Sequence, residues 1–332
     1  MNGKSGFFAA LLTSLVAFCG VAHAESWRMA MDVGLESAEG KGIQRFAELV
    51  EKYSNGDLTI RLFPYEQLGS SDAVGEQLSK NTIQMQTGGL VRLSKWLPEV
   101  EYINAPFLFD DREHWVRFMQ SDLVKGWFRK VEEDGRVPVL GDPTLFLRGP
   151  YRVIVSTTPV ASIDDLKGVK LRLHPDDLAA AVWKTLGADV RVIAWAEVYQ
   201  GLSRSIVTAV NTPISLVEST RFQEVAKHIT RHDEYWQSVG FMVNTDALEA
   251  LSPETRAALE KAYAEAAVYG TEVVEKDAKE SVERMRAEGV SFHEMDLAPF
   301  STRLKTFYEE RGAAGQLPEG FVEAVEAARQ AR

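Results

Sequence analysis

Six histidines, one cysteine and many carboxylates are the raw material for chemistry in this 332-residue chain. His228 and His232 stand four apart, a spacing that sets two metal ligands on one helix face. No glutamate lies between them as a zinc-protease motif requires, and histidines at a solvated helix end explain the pair as well. No G-x-S-x-G elbow and no P-loop occur, and Gly40-Lys41-Gly42 lacks the third glycine of a dinucleotide fingerprint. Asp142, His174 and Glu197 are the acids and bases a hydrolase or lyase would draw on, but spacing alone does not pair carboxylates into a glycosidase-type site. The reading assigns no catalytic residue, no metal ligand and no cofactor. From its own neighbours, Arg172 reads as a strand-end arginine paired to Asp164 or Asp176.

The composition is globular, with 45% hydrophobic and 26% charged residues, and the length allows two domains each with its own core. The net charge is −11 and no Lys/Arg-dense run occurs, so a nucleic-acid partner is not expected. Residues 1–24 read as a cleaved secretory signal: Lys4 as the basic start, an apolar run from Phe7 to Val21, and Ala22-His23-Ala24 as the cleavage site. A membrane anchor is the alternative, and the run is short for one. Export through this signal places the chain in the periplasm. Cys19, the sole cysteine, lies inside the signal, and bulky Phe18 before it argues against lipidation. The exported chain then has no thiol for disulfides, nucleophilic catalysis or zinc.

Strands and helices alternate after the signal, a rhythm of α/β domains. Trp27–Val33, Leu58–Phe63, Ile83–Thr87, Val137–Leu140 and Tyr151–Ser156 read as strands. Ala38–Ser54, Asp72–Lys80 and a long Glu113–Glu133 read as helices. Val169–Leu173, Val190–Ile193 and Ile206–Val210 are the next strands, with helices at Asp176–Leu186 and Ala196–Ser205. Ser252 is a good N-cap and Pro253 suits the first helical turn. From there apolar residues recur every three or four positions up to Gly289, which predicts one helix about 50 Å long, or two broken at Gly270. No flexible linker separates the two α/β units, which suggests strands that cross between domains more than once.

The most specific feature is Asp165-Leu-Lys-Gly-Val-Lys-Leu-Arg172. Pro159 precedes it, and Ala196-Glu197-Val198-Tyr199 follows. Phe63-Pro64-Tyr65-Glu66-Gln67-Leu68-Gly69 and Pro106-Phe107-Leu108-Phe109 come earlier. This order resembles the extracytoplasmic solute-binding proteins of TRAP transporters, the DctP-type family, over essentially the whole chain after the signal. The resemblance implies a two-domain periplasmic-binding-protein (Venus flytrap) fold with crossing hinge strands and a long domain-spanning helix. It places domain I at 25–148 with about 238–270 and domain II at 149–237 with about 271–332, with the ligand cleft between them.

The resemblance also implies a small organic acid as ligand and the membrane subunits of a TRAP transporter as partners. Arg172 matches the family's carboxylate clamp, a role suited to a planar, permanently charged fork of N–H donors. Arg152 matches a second arginine, and Trp195 an aromatic position able to stack on the ligand's carbon skeleton. Asp32, Gly89 and Arg92 fall in early cleft loops. The chain departs from the pattern where Thr208-Ala-Val-Asn211-Thr212-Pro213 replaces a D-G-x-x-N-P run. Thr212 stands there in place of the family's asparagine, and His174 where a proline is common. These departures, with acidic and aromatic His232-Asp233-Glu234-Tyr235-Trp236, point to a partly apolar ligand or one bearing a cationic group. Asp32, Asp233 or Glu234 would face the cation, with Trp236 adding a cation–π contact. The other readings are a binder of a small amine or zwitterion in the same fold, a secreted α/β enzyme acting on an organic acid, and a sensor or other transporter's binding subunit.

Overall fold

The computed structural model describes residues 25–331, so the expected signal at 1–24 and Cys19 lie outside the described residues. Its strands are β1 (Glu25–Ala30), β2 (Leu58–Phe63), β3 (Met85–Gly88), β4 (Arg152–Ser156), β5 (Lys170–Leu173), β6 (Asp189–Val192), β7 (Ala209–Pro213), β8 (His228–Arg231), β9 (Gly240–Val243) and β10 (Ser291–Glu294). They form two sheets, β2-β1-β3-β9 and β10-β8-β4-β7-β5-β6. In the first, β1 is parallel to β2 and β3, and β9 is antiparallel to β3. In the second, β5 is parallel to β6 and β7, while β4 runs antiparallel to β7 and β8.

Each sheet organises one lobe. β4 shows why the second lobe needs helices on both faces of its sheet. Val153 and Val155 enter one core, and Ile154, pointing the other way, enters a second. All three are fully buried, so the run reads apolar without alternation.

The chain crosses between the lobes along paired segments: Arg148 N donates to Gln237 O (2.8 Å) and Val239 N to Phe146 O (2.8 Å). The helix Pro253–Ala287 crosses as well. Ser252 caps it, its hydroxyl accepting from Thr255 N (3.1 Å), and the helix runs 35 residues without a break. Leu259, Tyr263 and Ala266 pack in the core of the first lobe, Ala278, Val282 and Met285 in that of the second. Gly270 does not break it. A Cβ on Gly270 would lie 2.5 Å from the Phe146 ring, and one on Gly42 would lie 2.9 Å from Gly270 Cα. The two glycines therefore let the helix Ala38–Tyr53 approach the long helix closely.

Several expectations need correction. Glu113–Glu133 is two helices, Arg112–Met119 and Asp122–Gly135, because Ser121 opens a new one by accepting from Val124 N (3.3 Å). Val137–Leu140 makes only an isolated bridge, Val139 to Met242. The strand expected at Ile206–Val210 starts later, at Ala209. His228 lies on β8 rather than a helix, with its Nδ1 3.3 Å from His293 Nε2 on β10. His232 follows β8 and is buried against Phe107 and Trp183. That burial and the nearby Arg152 push its pKa down to about 3, so it is neutral.

The C-terminal helix Phe321–Gln330, expected with domain II, joins the first lobe. Phe321 and Val325 bury their side chains in the cluster that holds Trp115 and Phe118. No described helix is long and apolar enough to cross a membrane.

Candidate functional site

A cavity of about 520 Å³ lies between the lobes, within the range of small-molecule sites. Its wall is built where strands end. Gly88 and Gly89 close β3, and their missing side chains make room for two others. A Cβ on Gly88 would meet the Arg92 guanidinium at 2.8 Å, and one on Gly89 would meet Gln237 Nε2 at 2.7 Å. Arg92, on the short helical turn Leu90–Lys95, thus folds back and grips Asp32 through Nη1 and Nη2.

Two further arginines stand at the hinge and the start of β4. Arg148 holds Glu39, at the start of the helix Ala38–Tyr53, by Nε (2.8 Å) and Nη2 (2.6 Å). Burial works against the Arg148 charge, but the Glu39 pair raises its pKa overall. Arg152 bonds Glu234 (3.1 Å), Asn211 Oδ1 (2.8 Å) and Gln237 Oε1 (2.9 Å). Glu234 also accepts from Asn211 Nδ2 (2.6 Å) and Trp183 Nε1 (2.5 Å). Burial raises its pKa, yet all these partners donate, the arrangement an ionised carboxylate requires.

Arg172 on β5 differs. Its side chain is buried, with 3% of the residue exposed, and its Nε and Nη2 donate to the backbone carbonyl of Ile193 at 3.1 and 2.9 Å. The Trp195 ring centre lies 5.3 Å from its Cζ. Among the described residues no carboxylate comes within ion-pair distance of it. Burial, and next Arg152, push its pKa down to about 10, so it stays a cation at neutral pH. Among the described residues the Thr212 hydroxyl, buried in the same wall, has no hydrogen-bond partner, and His174 Nε2 has only Asp176 Oδ2 near it, at 3.3 Å.

The first lobe reaches across with two carboxylates. Glu101 accepts from Leu178 N (3.2 Å) at the start of the helix Asp177–Thr185. Burial, then Asp176, raise its pKa. Glu66 sits near Ala196, half-buried, and burial followed by Asp32 raises its pKa too.

The structure therefore brings Arg172, Arg152, Trp195, Thr212, Asp32, Gly89, Arg92 and His174 to one cavity. Two expected residues are elsewhere. Asp233 is engaged by Arg231 (2.8 Å), with its backbone in the left-handed region that turns the chain after β8. Trp236 packs against the apolar core of the first lobe. None of the carboxylates proposed to face a cation is free to do so: Asp32 holds Arg92, Asp233 holds Arg231 and Glu234 holds Arg152. The sequence reading missed Arg148, Glu39, Glu101 and Gln237, and passed over Glu66 although it lies within a quoted motif. The departure at Asn211-Thr212 was the available signal for the polar wall of β7.

Comparison with known proteins agrees with this architecture. Residues 29–313 match the family of bacterial extracellular solute-binding proteins, family 7. A C4-dicarboxylate-binding periplasmic protein of Rhodobacter capsulatus is 28% identical over 265 residues, 79% of this chain and 78% of the relative. An ectoine/5-hydroxyectoine-binding periplasmic protein of Ruegeria pomeroyi is 29% identical over 245 residues, 73% of this chain and 70% of that one. A TRAP periplasmic solute-binding protein of Roseobacter denitrificans, solved with bound β-D-glucuronate, superposes with a TM-score of 0.82 at 24% identity, covering 91% of this chain and 99% of that one. The match spans both lobes and the cleft they enclose, and the chain belongs to the bacterial extracellular solute-binding proteins of family 7, the DctP-type binding proteins of TRAP transporters.

Proposed function

We propose that this chain captures a small organic acid in its cleft, in the periplasm, and delivers it to the membrane subunits of a TRAP transporter. Arg172 clamps the carboxylate. The lobes divide at the hinge near residues 148 and 238, with residues 321–330 belonging to the first lobe. The observation that carries this reading is a buried guanidinium that, among the described residues, donates to a carbonyl and has no carboxylate within ion-pair distance. A buried cation without a counterion is unfavourable, and an anion arriving in the cleft supplies it. Trp195 flanks the same position and covers the ligand's apolar carbons. The Thr212 hydroxyl is placed to hydrogen-bond the ligand.

The match of residues 29–313 to a family of solute-binding proteins supports binding rather than turnover. Ligand-induced thermal stabilisation tests the reading. An acid present at about 100 times its dissociation constant stabilises the protein by about 2.7 kcal/mol. Arg172→Ala removes that shift, and Arg172→Lys weakens it strongly because a point charge does not replace the fork. Undiminished affinity in the alanine variant overturns the clamp.

A further inference from the structure

Among the described residues, five lysine and arginine side chains reach the cavity wall, and four already hold carboxylates of the chain. Arg92 holds Asp32, Arg148 holds Glu39, Arg152 holds Glu234, and Lys95 holds Glu76 at 2.5 Å. Among the described residues, Arg172 is the lysine or arginine of this wall left for a ligand. The acids are not matched in the same way. Glu66 and Glu101 have no lysine or arginine within ion-pair distance among the described residues, and Asp176 has only His174. One positive position therefore faces a wall with surplus negative charge. Beside the acids, the buried Thr212 hydroxyl is an unpartnered polar group in the same wall, suited to a ligand atom that accepts or donates without charge.

We propose that the cleft selects acids with a single carboxylate whose far end is neutral or positively charged, and that Asp32, Glu39 and Glu234 set this selectivity by occupying the other arginines. The inference rests on the clamp at Arg172 and goes beyond it. A second carboxylate in this cleft has two places to go. It displaces a protein carboxylate from a buried pair, which leaves that group uncompensated, or it lies beside Glu66 or Glu101, where like charges repel. Both penalise dianions, while an amide, hydroxyl or ammonium meets acceptors that are already in place. Specificity here arises from unfavourable contacts for the wrong ligand as much as favourable ones for the right one. Asp32 is the accessible control point. Arg92 is the most exposed of the three paired arginines, its side chain 22% accessible against 8% for Arg148 and 4% for Arg152, so it is the one most readily turned toward a ligand once released.

The test uses matched pairs that differ at the far end only: succinamate and succinate, γ-aminobutyrate and glutarate, gluconate and glucarate. Binding is read by thermal shift and calorimetry on the purified chain. In every pair that binds, the monocarboxylate binds at least about tenfold more tightly. Asp32→Asn keeps the shape, frees Arg92, and narrows or reverses that ratio by about tenfold. A dicarboxylate that binds the wild type as tightly as its partner overturns the inference and leaves the clamp intact, and so does a ratio unchanged in the folded Asp32→Asn protein. Failure of every acid to bind, or binding that survives Arg172→Ala, overturns the clamp itself. The wild-type ratio is decisive even where the Asp32 variant does not fold.

Discussion

Arg148 and Arg172 line the same cavity and are buried to a similar degree, at 7% and 3% exposure, yet their surroundings are opposite. Arg148 is held by both oxygens of Glu39, a pair joining the hinge segment to the first helix. Arg172 has two bonds to one carbonyl and no counterion among the described residues. The first arrangement is complete within the chain and serves the architecture. The second lacks an ion pair among the described residues, and the proposed recognition role rests on that difference. Burial alone does not distinguish a structural arginine from a ligand-binding one; the partner does.

The largest test of this contrast is stability without ligand. Glu39→Gln leaves the Arg148 charge buried and unpaired and is expected to destabilise the fold by about 3–5 kcal/mol. Arg172→Met removes a buried cation that has no ion pair to lose, and is expected to leave unliganded stability unchanged or raised. Urea denaturation of both variants decides the matter. Comparable losses would mean that Arg172 is a structural residue, and the contrast would fail.

How much of this contrast could be read from residues alone depended on whether the cause was local. The long helix was legible because its cap, its spacing and its terminal glycine are all local signals. Its continuity through Gly270 was not, since the reason is Phe146 and Gly42 packed against it from distant segments. Arg172's own neighbours suggested a pairing to Asp164 or Asp176, and it was singled out as a clamp through the resemblance that its contiguous motif carries. Arg148 was not, because its partner Glu39 lies more than a hundred positions earlier and nothing local marks either one. The same limit applied to the carboxylates expected to face a cation. Asp32, Asp233 and Glu234 looked free in the sequence, and each proved to hold an arginine. The helix at Phe321–Gln330 was expected with domain II, whereas its apolar face is matched by the Trp115–Phe118 cluster.

Smaller effects sharpen the recognition half of the comparison. Trp195→Leu keeps an apolar side chain but removes the ring beside Arg172. It is expected to weaken acid binding by up to about 2 kcal/mol, with the melting temperature of the unliganded protein little changed. An affinity equal to wild type would confine Trp195 to packing. Thr212→Val is close to isosteric and removes a buried hydroxyl that has no partner. Unliganded stability is expected to hold or rise, while ligand affinity falls by about 1 kcal/mol, the worth of one neutral hydrogen bond. A stability loss with unchanged affinity would place Thr212 with the architecture instead.

The smallest effect concerns the carboxylates that reach across the cleft. Glu101 accepts from Leu178 N on the opposite lobe, and burial, followed by Asp176, holds its pKa above the ordinary 4.5. When the lobes separate, water returns to this group and its pKa falls back toward that value. The closed arrangement therefore binds a proton more tightly than the open one, and linkage fixes the sign: falling pH favours closure, in the window between 4.5 and the raised value. The shift at Glu66 has the same direction and adds to the effect. Small-angle scattering without ligand should show the radius of gyration shrinking as pH falls from neutrality into the acid range. Glu101→Gln, neutral at every pH, should reduce the change. Expansion on acidification, or an undiminished response in the glutamine variant, would show that these acids do not carry charge across the closing interface.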